Sequence, residues 1–246
     1  MNDLWLRRYS PAPEAPVRLV CFPHAGSSAS YYHWTAGRLA PAVDVLAVQY
    51  PGRQDRRHEP PIEDVLVLAG HVYEELLGLE TPDGTALALF GHSMGATVAY
   101  EVARLLEHKA GIRLRRLFVS GRRAPSRTRT ERVRLGDDEQ VAAELMRLSG
   151  TDARLLADPE LRELFLPVVR ADYAAIETYR RPPGPDPTCP LTVLVGDADP
   201  LTTVEEARAW DAHTPGGAQV RVFPGGHFFL DDHREEIARV IEQGVL

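Results

Sequence analysis

The five residues from Gly91 to Gly95, in the order Gly-His-Ser-Met-Gly, constrain the fold of this chain more than any other segment. The apolar run 85–90 before them favours a buried strand, and residues 96–106 after them have the apolar periodicity of a helix. A strand that turns at once into a helix would hold Ser93 in a strained conformation with its hydroxyl exposed. A Cβ at Gly91 or Gly95 would collide with the neighbouring strand or helix. The segment therefore predicts a nucleophile elbow, and a plain β–α turn without chemistry is the alternative.

The rest of the chain alternates apolar runs with helical patterns, which predicts an α/β fold with a mostly parallel sheet and helices on both of its faces. The length of 246 residues fits a single domain spanning 1–246. The expected strands are 17–22, 43–49, 85–90, 114–120, 191–195 and 219–223, with an added edge strand at 4–9. The expected helices are 31–39, 65–77, 96–108, 204–213 and 235–243.

Residues 122–187 interrupt this alternation, because no convincing strand occurs among them. The segment begins with an arginine-rich loop and ends with a proline-rich stretch. Between them lie three amphipathic helical stretches, at 139–148, 158–165 and 168–179. We predict a helical lid inserted between two core strands, and a set of ordinary packing helices is the alternative.

A serine becomes a good nucleophile only when a base removes its proton, and the base is usually a histidine oriented by a carboxylate. In α/β-hydrolases these residues follow one another in the order serine, carboxylate, histidine. Asp199 lies a short loop beyond the strand 191–195, where its carboxylate can reach over the carboxyl edge of the sheet. Asp197, nearer the end of the strand, is the alternative and would otherwise cap the turn through backbone amides.

The predicted base is His227, on a glycine-containing loop between the last strand and the C-terminal helix. It follows Asp199 at a distance that leaves room for one helix and one strand. His213 and His233 lie at helix ends and are weaker candidates, whereas His92 inside the elbow is expected to structure the turn. The sequence thus predicts Ser93, Asp199 and His227 as a catalytic triad.

An oxyanion hole needs two backbone N–H groups. Met94 supplies one by its position after the nucleophile at a helix N-terminus, where the helix dipole also favours negative charge. The loop after the first long strand supplies the other, with Ala25 as the expected donor and Gly26 as the alternative.

Composition excludes several classes of protein. The net charge of −7 argues against general affinity for nucleic acid, because phosphate contacts need a cationic face. No secretory leader and no apolar run of membrane-spanning length is visible, so we expect a cytoplasmic protein without a membrane partner. Cys21 and Cys189 fall in or beside predicted strands and are expected to be buried small hydrophobes, so neither a disulfide nor a metal site is predicted.

With these residues located, the chain resembles the type II thioesterases that accompany polyketide and non-ribosomal peptide synthases. The resemblance covers nearly the whole length and rests on five segments: Phe-Pro-His-Ala-Gly at 22–26, Gln-Tyr-Pro-Gly-Arg at 49–53, the elbow at 91–95, Gly-Asp-Ala-Asp-Pro at 196–200 and Gly-Gly-His-Phe-Phe-Leu at 225–230. One departure is Ser27, where the family usually has a second glycine, and it would stiffen the oxyanion loop.

The resemblance implies an α/β-hydrolase fold with a helical lid and a Ser-His-Asp triad. It also implies a free-standing, monomeric enzyme without a cofactor of its own, which removes acyl groups from the phosphopantetheine arms of acyl or peptidyl carrier proteins. A carboxylesterase or lipase acting on oxoesters, and a catalytically idle hydrolase fold that serves as a binding module, are the alternatives.

Three further expectations depend on this reading. The lid would shape an apolar acyl channel, although simple packing of the lid on the core is the alternative for each lining candidate: Leu145, Met146, Leu148, Leu155 and Leu156. The arginine-rich stretch beside the lid would dock an acidic carrier protein, or its charges are merely solvated. Arg53 would pair with a carboxylate under the site or contact the substrate, and the sequence leaves both open.

Overall fold

The computed structural model describes residues 4–80, 82, 84–148 and 158–246. Within these residues, seven strands form one sheet in the order β1-β3-β2-β4-β5-β6-β7. Every neighbouring pair is parallel except β1 and β3, which pair in antiparallel fashion at one edge. The strands are β1 Leu6–Arg7, β2 Val17–Phe22, β3 Val43–Val48, β4 Ala86–His92, β5 Leu114–Ser120, β6 Leu191–Gly196 and β7 Ala218–Phe223.

Helices cover both faces of this sheet, as the alternating pattern predicted. They are α1 His33–Leu39, α2 Val65–Leu77, α3 Met94–His108, α4 Asp138–Leu148, α5 Pro159–Thr178, α6 Val204–Arg208, α7 Phe229–Asp232 and α8 Arg234–Val245. On β2, Val20 and Phe22 pack in the core formed with α2 and α3, while Leu19 and Cys21 pack in the opposite core with α1 and α8. Because both faces are covered, β2 is a continuous apolar run rather than an alternating one. The α/β-hydrolase class is confirmed.

Most predicted elements occur where the sequence placed them. The bounds of β2, β5 and α2 match the predicted ranges, and the edge strand occurs as the short β1. The predicted helix 31–39 begins as a 3₁₀ turn, Ala29–Tyr32, before α1, and the predicted helix 204–213 consists of α6 followed by a second 3₁₀ turn, Ala209–His213. These differences affect helix ends, where the hydrogen-bonding pattern commonly tightens.

The segment between β5 and β6 corrects one prediction. The stretches 158–165 and 168–179 were expected as separate helices because a proline lacks an N–H and clashes with the preceding turn. The structure instead has one helix, α5, with Pro167 inside it. Leu166 and Val169, on either side of Pro167, pack against Val141 and Leu145 of α4, and this apolar contact offsets the lost backbone hydrogen bond. That residues 122–187 act as a lid remains a prediction.

Two observations bear on the composition argument. Cys21 and Cys189 are both buried and free. Among the described residues, no helix is long and apolar enough to cross a membrane.

The closest backbone approach at the elbow occurs where β4 turns into α3. A Cβ built on Gly91 would lie 2.2 Å from the carbonyl oxygen of Gly95, and one built on Gly95 would lie 2.0 Å from the carbonyl oxygen of Phe22 in β2. Real Cβ atoms do not approach backbone so closely, so the collisions expected from the sequence are confirmed. Only glycine at these positions lets the start of α3 lie directly against the end of β2.

We therefore expect Gly95→Ala to destabilise the fold by about 3 kcal/mol or more, because backbone on two elements must move to admit the methyl group. Gly70→Ala is the matched control, since a Cβ at Gly70 in α2 meets nothing within 4 Å. Alanine is the better helix former, so this control should gain up to about 1 kcal/mol. Urea unfolding of both variants provides the measurement, and equal stabilities would contradict the proposed constraint.

Candidate active site

Ser93 occupies the turn between β4 and α3 in a strained backbone conformation. Its φ and ψ are 53° and −118°, a region that non-glycine residues rarely enter and that commonly marks functional sites. The Ser93 N–H donates to the Ser120 carbonyl at the end of β5, at 2.8 Å. This bond fixes the turn to the neighbouring strand, while the Oγ lies at the carboxyl edge of the sheet.

The three residues predicted as a triad form one hydrogen-bonded chain. His227 Nε2 lies 2.9 Å from Ser93 Oγ, and His227 Nδ1 lies 2.9 Å and 3.1 Å from the two carboxylate oxygens of Asp199. His227 and Asp199 are only 3% and 7% exposed, so solvent does not compete for these bonds. The Leu201 N–H also donates to Asp199 Oδ1, at 2.8 Å, and holds the carboxylate in place. This geometry suits a base that accepts the Ser93 proton while the carboxylate orients its ring.

Asp197 takes the other role that the sequence left open for it. Its Oδ1 accepts the Gly225 N–H at 2.9 Å, and so joins the loops that follow β6 and β7. Asp199, rather than Asp197, therefore contacts the imidazole. The alternative histidines have other partners: His213 lies 2.9 Å from Ser126 Oγ, and His233 Nε2 lies 2.9 Å from the Pro224 carbonyl.

The loop after β2 faces Ser93 and narrows the choice of oxyanion donors. Ala25 and Met94 line the same cavity as Ser93 and His227. The alternative donor, the Gly26 N–H, already donates to Asp172 Oδ2 at 2.7 Å. Since that amide is occupied, Ala25 and Met94 stay the predicted pair.

A buried ion pair anchors this loop to α5. The Arg53 guanidinium contacts both carboxylate oxygens of Asp172, at 2.8 Å and 2.9 Å, and donates a further bond to the Ser27 carbonyl at 2.9 Å. Asp172 is fully buried and Arg53 is 7% exposed. Of the two roles left open for Arg53, pairing with a carboxylate is therefore the one observed.

Sequence reasoning missed Asp172 as a member of the site. A signal was present, because this single carboxylate interrupts a face of α5 whose other members are buried and apolar. Those members are Val168, Val169, Ala171, Ala175 and Ile176. A lone acid on such a face requires a cationic or N–H partner from another element.

Three histidine rings pack together at the base of the site. The His92 ring centroid lies 5.0 Å from that of His227 and 5.7 Å from that of His24. Burial, with smaller contributions from His227 and Arg53, lowers the pKa of His24 to about 3. Burial, reinforced by His227 and His24, lowers the pKa of His92 well below its ordinary value. Both rings are therefore neutral near pH 7, and the surroundings of His227 carry little competing positive charge.

His92 also has the structural role expected for it. Its Nδ1 lies 3.0 Å from Ser120 Oγ, on the strand that also accepts the Ser93 N–H. Within the part of the chain that the structure describes, no three histidine, cysteine or acidic side chains are grouped so that they could hold a metal ion.

A cavity above Ser93 is bounded on its far side by α4 and α5. Leu145, Leu148, Tyr173 and Ile176 line it, which places the predicted Leu148 at the channel wall. Met146 was predicted there but is wrong, because its side chain is 52% exposed and does not line this cavity. A helix turns about 100° per residue, so Met146 cannot share the face of Leu145 and Leu148. Leu155 and Leu156 lie outside the described residues.

Comparison with known proteins gives consistent matches. A thioesterase-domain family model matches residues 17–244. The probable cadicidin biosynthesis thioesterase of Streptomyces griseus is 52% identical over 98% of this chain and 66% of its own length. The thioesterase PikA5 of Streptomyces venezuelae is 49% identical over 100% of this chain and 86% of its own. The structure of the type II thioesterase BorB from the borrelidin biosynthetic cluster superposes with a TM-score of 0.92 at 50% identity, covering 100% of this chain and 99% of that one.

We expect Asp172→Asn to destabilise the protein by about 3–5 kcal/mol, because it leaves the buried Arg53 charge without its counter-charge. The matched control is Asp138→Asn, which removes the partner of Arg170 in an exposed pair and should cost less than about 1 kcal/mol. Urea unfolding measures both. Amide hydrogen exchange should also rise at residues 24–28 in Asp172→Asn alone, and unchanged exchange there would argue against the anchoring role.

The buried neutral histidines should make the protein sensitive to mild acid. The unfolded chain binds a proton at His24 near pH 6.5, whereas the folded protein does so only near pH 3. Stability from this group is therefore full above about pH 6.5 and is lost as the pH falls towards 3, with about 1.4 kcal/mol lost between about pH 7.5 and 5.5.

His24→Phe should remove this share of the pH dependence while keeping the ring contacts with Tyr31 and Phe228. The unfolding free energy of each protein, measured at both pH values, gives the comparison. All other titrating groups cancel in the difference, so an identical loss in both proteins would contradict the neutral, buried state of His24.

Proposed function

The chain belongs to the thioesterase family, and from this premise we propose that it hydrolyses acyl thioesters carried on the phosphopantetheine arms of carrier proteins in a polyketide or non-ribosomal peptide pathway. The observation that carries the proposal is the hydrogen-bonded chain from Ser93 through His227 to Asp199, which ends beneath an apolar cavity. The family makes the enzyme a thioesterase. The catalytic roles, the carrier-bound substrate, the monomeric state and the cytoplasmic location are parts of the proposal.

In the first step, Ser93 Oγ attacks the thioester carbonyl carbon while His227 Nε2 takes the hydroxyl proton. Asp199 keeps the Nδ1 proton on its own side of the ring and stabilises the imidazolium that forms. The carbonyl oxygen gains negative charge and accepts the N–H groups of Met94 and Ala25. These donors and the start of α3 are fixed before the substrate arrives, so little reorganisation accompanies the charge.

The tetrahedral intermediate collapses by breaking the carbon–sulfur bond, and the pantetheine thiol leaves with the proton from His227. A thiolate is a good leaving group, so little acid assistance is required. Water then attacks the acyl-serine ester, His227 takes a proton from that water, and the same two amides hold the second oxyanion. The fatty or polyketide acid leaves, and Ser93 regains its proton.

The site needs no cofactor of its own for this chemistry, because every proton transfer falls to His227. The cavity walls formed by Leu145, Leu148, Tyr173 and Ile176 supply an apolar surface for the acyl chain. Transfer of that chain from water is favourable at roughly 25 cal/mol per Å² of apolar surface. The relatives named above support a synthase-bound rather than a free substrate, since their names place them in biosynthetic pathways.

The decisive experiment presents one short acyl group in three forms: on a phosphopantetheinyl carrier protein, on N-acetylcysteamine and as a p-nitrophenyl oxoester. We expect the highest kcat/KM for the carrier-bound thioester. Ser93→Ala should lower kcat by about 10⁴-fold or more, because only the oxyanion donors and substrate binding remain. His227→Ala should lose a similar factor, and Asp199→Asn somewhat less.

The three substrates separate the proposal from its alternatives. Equal or faster turnover of the oxoester, with no advantage from the carrier, would identify a general esterase. Full thioester hydrolysis by Ser93→Ala would eliminate the nucleophile assignment. Failure of a fluorophosphonate probe to label Ser93 in the folded protein would favour an inactive binding module.

A further inference from the structure

A second cavity adjoins the one above Ser93. It lies between the loop that follows β5 and the end of α5, and six arginines line it: Arg122, Arg123, Arg127, Arg129, Arg180 and Arg181. We call it the arginine cleft. Arg122, Glu131 and Ile176 line both cavities, so the cleft and the active-site cavity share a wall.

Half of these arginines are neutralised within the protein. Arg123 contacts both carboxylate oxygens of Glu131, at 2.8 Å and 2.7 Å, and Arg129 contacts both of Glu206, at 2.8 Å and 2.6 Å. Arg181 pairs with Asp186 at 2.8 Å. These pairs show that the arginine-rich loop is not simply a cationic surface for a carrier protein.

The other three arginines have no carboxylate partner among the described residues: Arg122, Arg127 and Arg180. The remaining acid of the cleft, Glu177, accepts the Val133 N–H at 2.6 Å and lies 3.4 Å from Arg134. It is therefore engaged by groups other than the three free arginines. The cleft carries a net positive charge that the folded chain does not compensate.

These free cations differ in depth. Arg127 and Arg180 are exposed at the rim, whereas Arg122 is half-buried between the two cavities. Burial, together with the neighbouring Arg123, lowers the pKa of Arg122 to about 10, which still leaves it charged near pH 7. A partly desolvated guanidinium without a counter-charge is costly, and an anion that enters the cleft removes that cost.

We propose that the arginine cleft binds the phosphate of the phosphopantetheine arm while the thioester of that arm lies at Ser93. This inference rests on the proposed function and adds to it a phosphate-binding site. A guanidinium donates two parallel N–H bonds to phosphate oxygens, so arginine suits this ligand better than a point charge does. The long arm separates thioester from phosphate, as two adjoining cavities require.

The depth of the cleft favours a phosphate over carboxylates on the carrier surface. Arg122 lies inward of the rim, where a side chain on a folded partner reaches with difficulty and a phosphate on a thin, flexible arm reaches easily. The exposed Arg127 and Arg180 would attract the same anion at longer range. Acidic carrier residues are therefore the competing occupant, and the test below distinguishes them.

The test compares two substrates that differ only in the phosphate: an acyl-4′-phosphopantetheine and the same acyl-pantetheine. We expect wild-type enzyme to prefer the phosphorylated form, mainly through a lower KM. Arg127→Ala should reduce this preference by about fivefold, as expected for a partly exposed charge pair, and Arg127→Ala/Arg180→Ala should reduce it further. Added salt should weaken the wild-type preference in the same direction.

The matched control is Arg132→Ala, which removes an exposed arginine of the same loop that does not line the cleft. This variant should retain the wild-type preference. Binding of 4′-phosphopantetheine and of pantetheine to Ser93→Ala, measured by calorimetry, provides the same comparison without turnover.

Failure of this inference can be separated from failure of the proposed function. Hydrolysis of acyl-pantetheine by wild type, and its loss in Ser93→Ala, tests the thioesterase chemistry without involving phosphate. No wild-type preference for the phosphorylated substrate, or an equal loss of preference in Arg132→Ala, would overturn the phosphate site. An unchanged preference in Arg127→Ala, combined with slower turnover of carrier-bound substrate, would also overturn it and assign the cleft to carrier carboxylates.

Discussion

The site depends on a backbone contact between two elements that are far apart in sequence. The start of α3 lies so close to the end of β2 that a Cβ on Gly95 would approach the Phe22 carbonyl to 2.0 Å. This contact brings the N–H of Met94 beside the loop that begins at the end of β2. It also leaves Ser93, one residue earlier, at a positive φ with its hydroxyl directed out of the sheet. Nucleophile and oxyanion donors are therefore positioned by the same constraint.

The buried pair of Arg53 and Asp172 extends this constraint to the segment between β5 and β6. Asp172 accepts bonds from Arg53 and from the Gly26 N–H, so helix α5 and the oxyanion loop share one buried carboxylate. Movement of α5 away from the core would separate these charges in a low-dielectric environment. Any opening of this segment must therefore take place elsewhere or carry the loop with it, which links access to the cavity with the geometry of the oxyanion hole.

Much of the architecture was predictable because it follows from local patterns. The buried strands are apolar runs, and helices such as α2 have clear periodicity, so their bounds could be read with little error. The candidate triad could be located because chain order and strand ends restrict where a base and a carboxylate can meet a serine at the elbow. The separate roles of Asp199 and Asp197 were weighed correctly, yet only the observed contacts with His227 and Gly225 distinguish them.

The sequence by itself determined the strand order of chemistry: an elbow serine, an acid after β6 and a histidine after β7, on an α/β scaffold. Tertiary structure alone decided which side chains meet across distant elements. It paired Arg53 with Asp172, carried α5 through Pro167, turned Met146 outward and neutralised some arginines of one loop while leaving others free. The physical reason is that periodicity records whether a residue is buried, whereas the identity of its partner depends on packing between elements that no local pattern encodes.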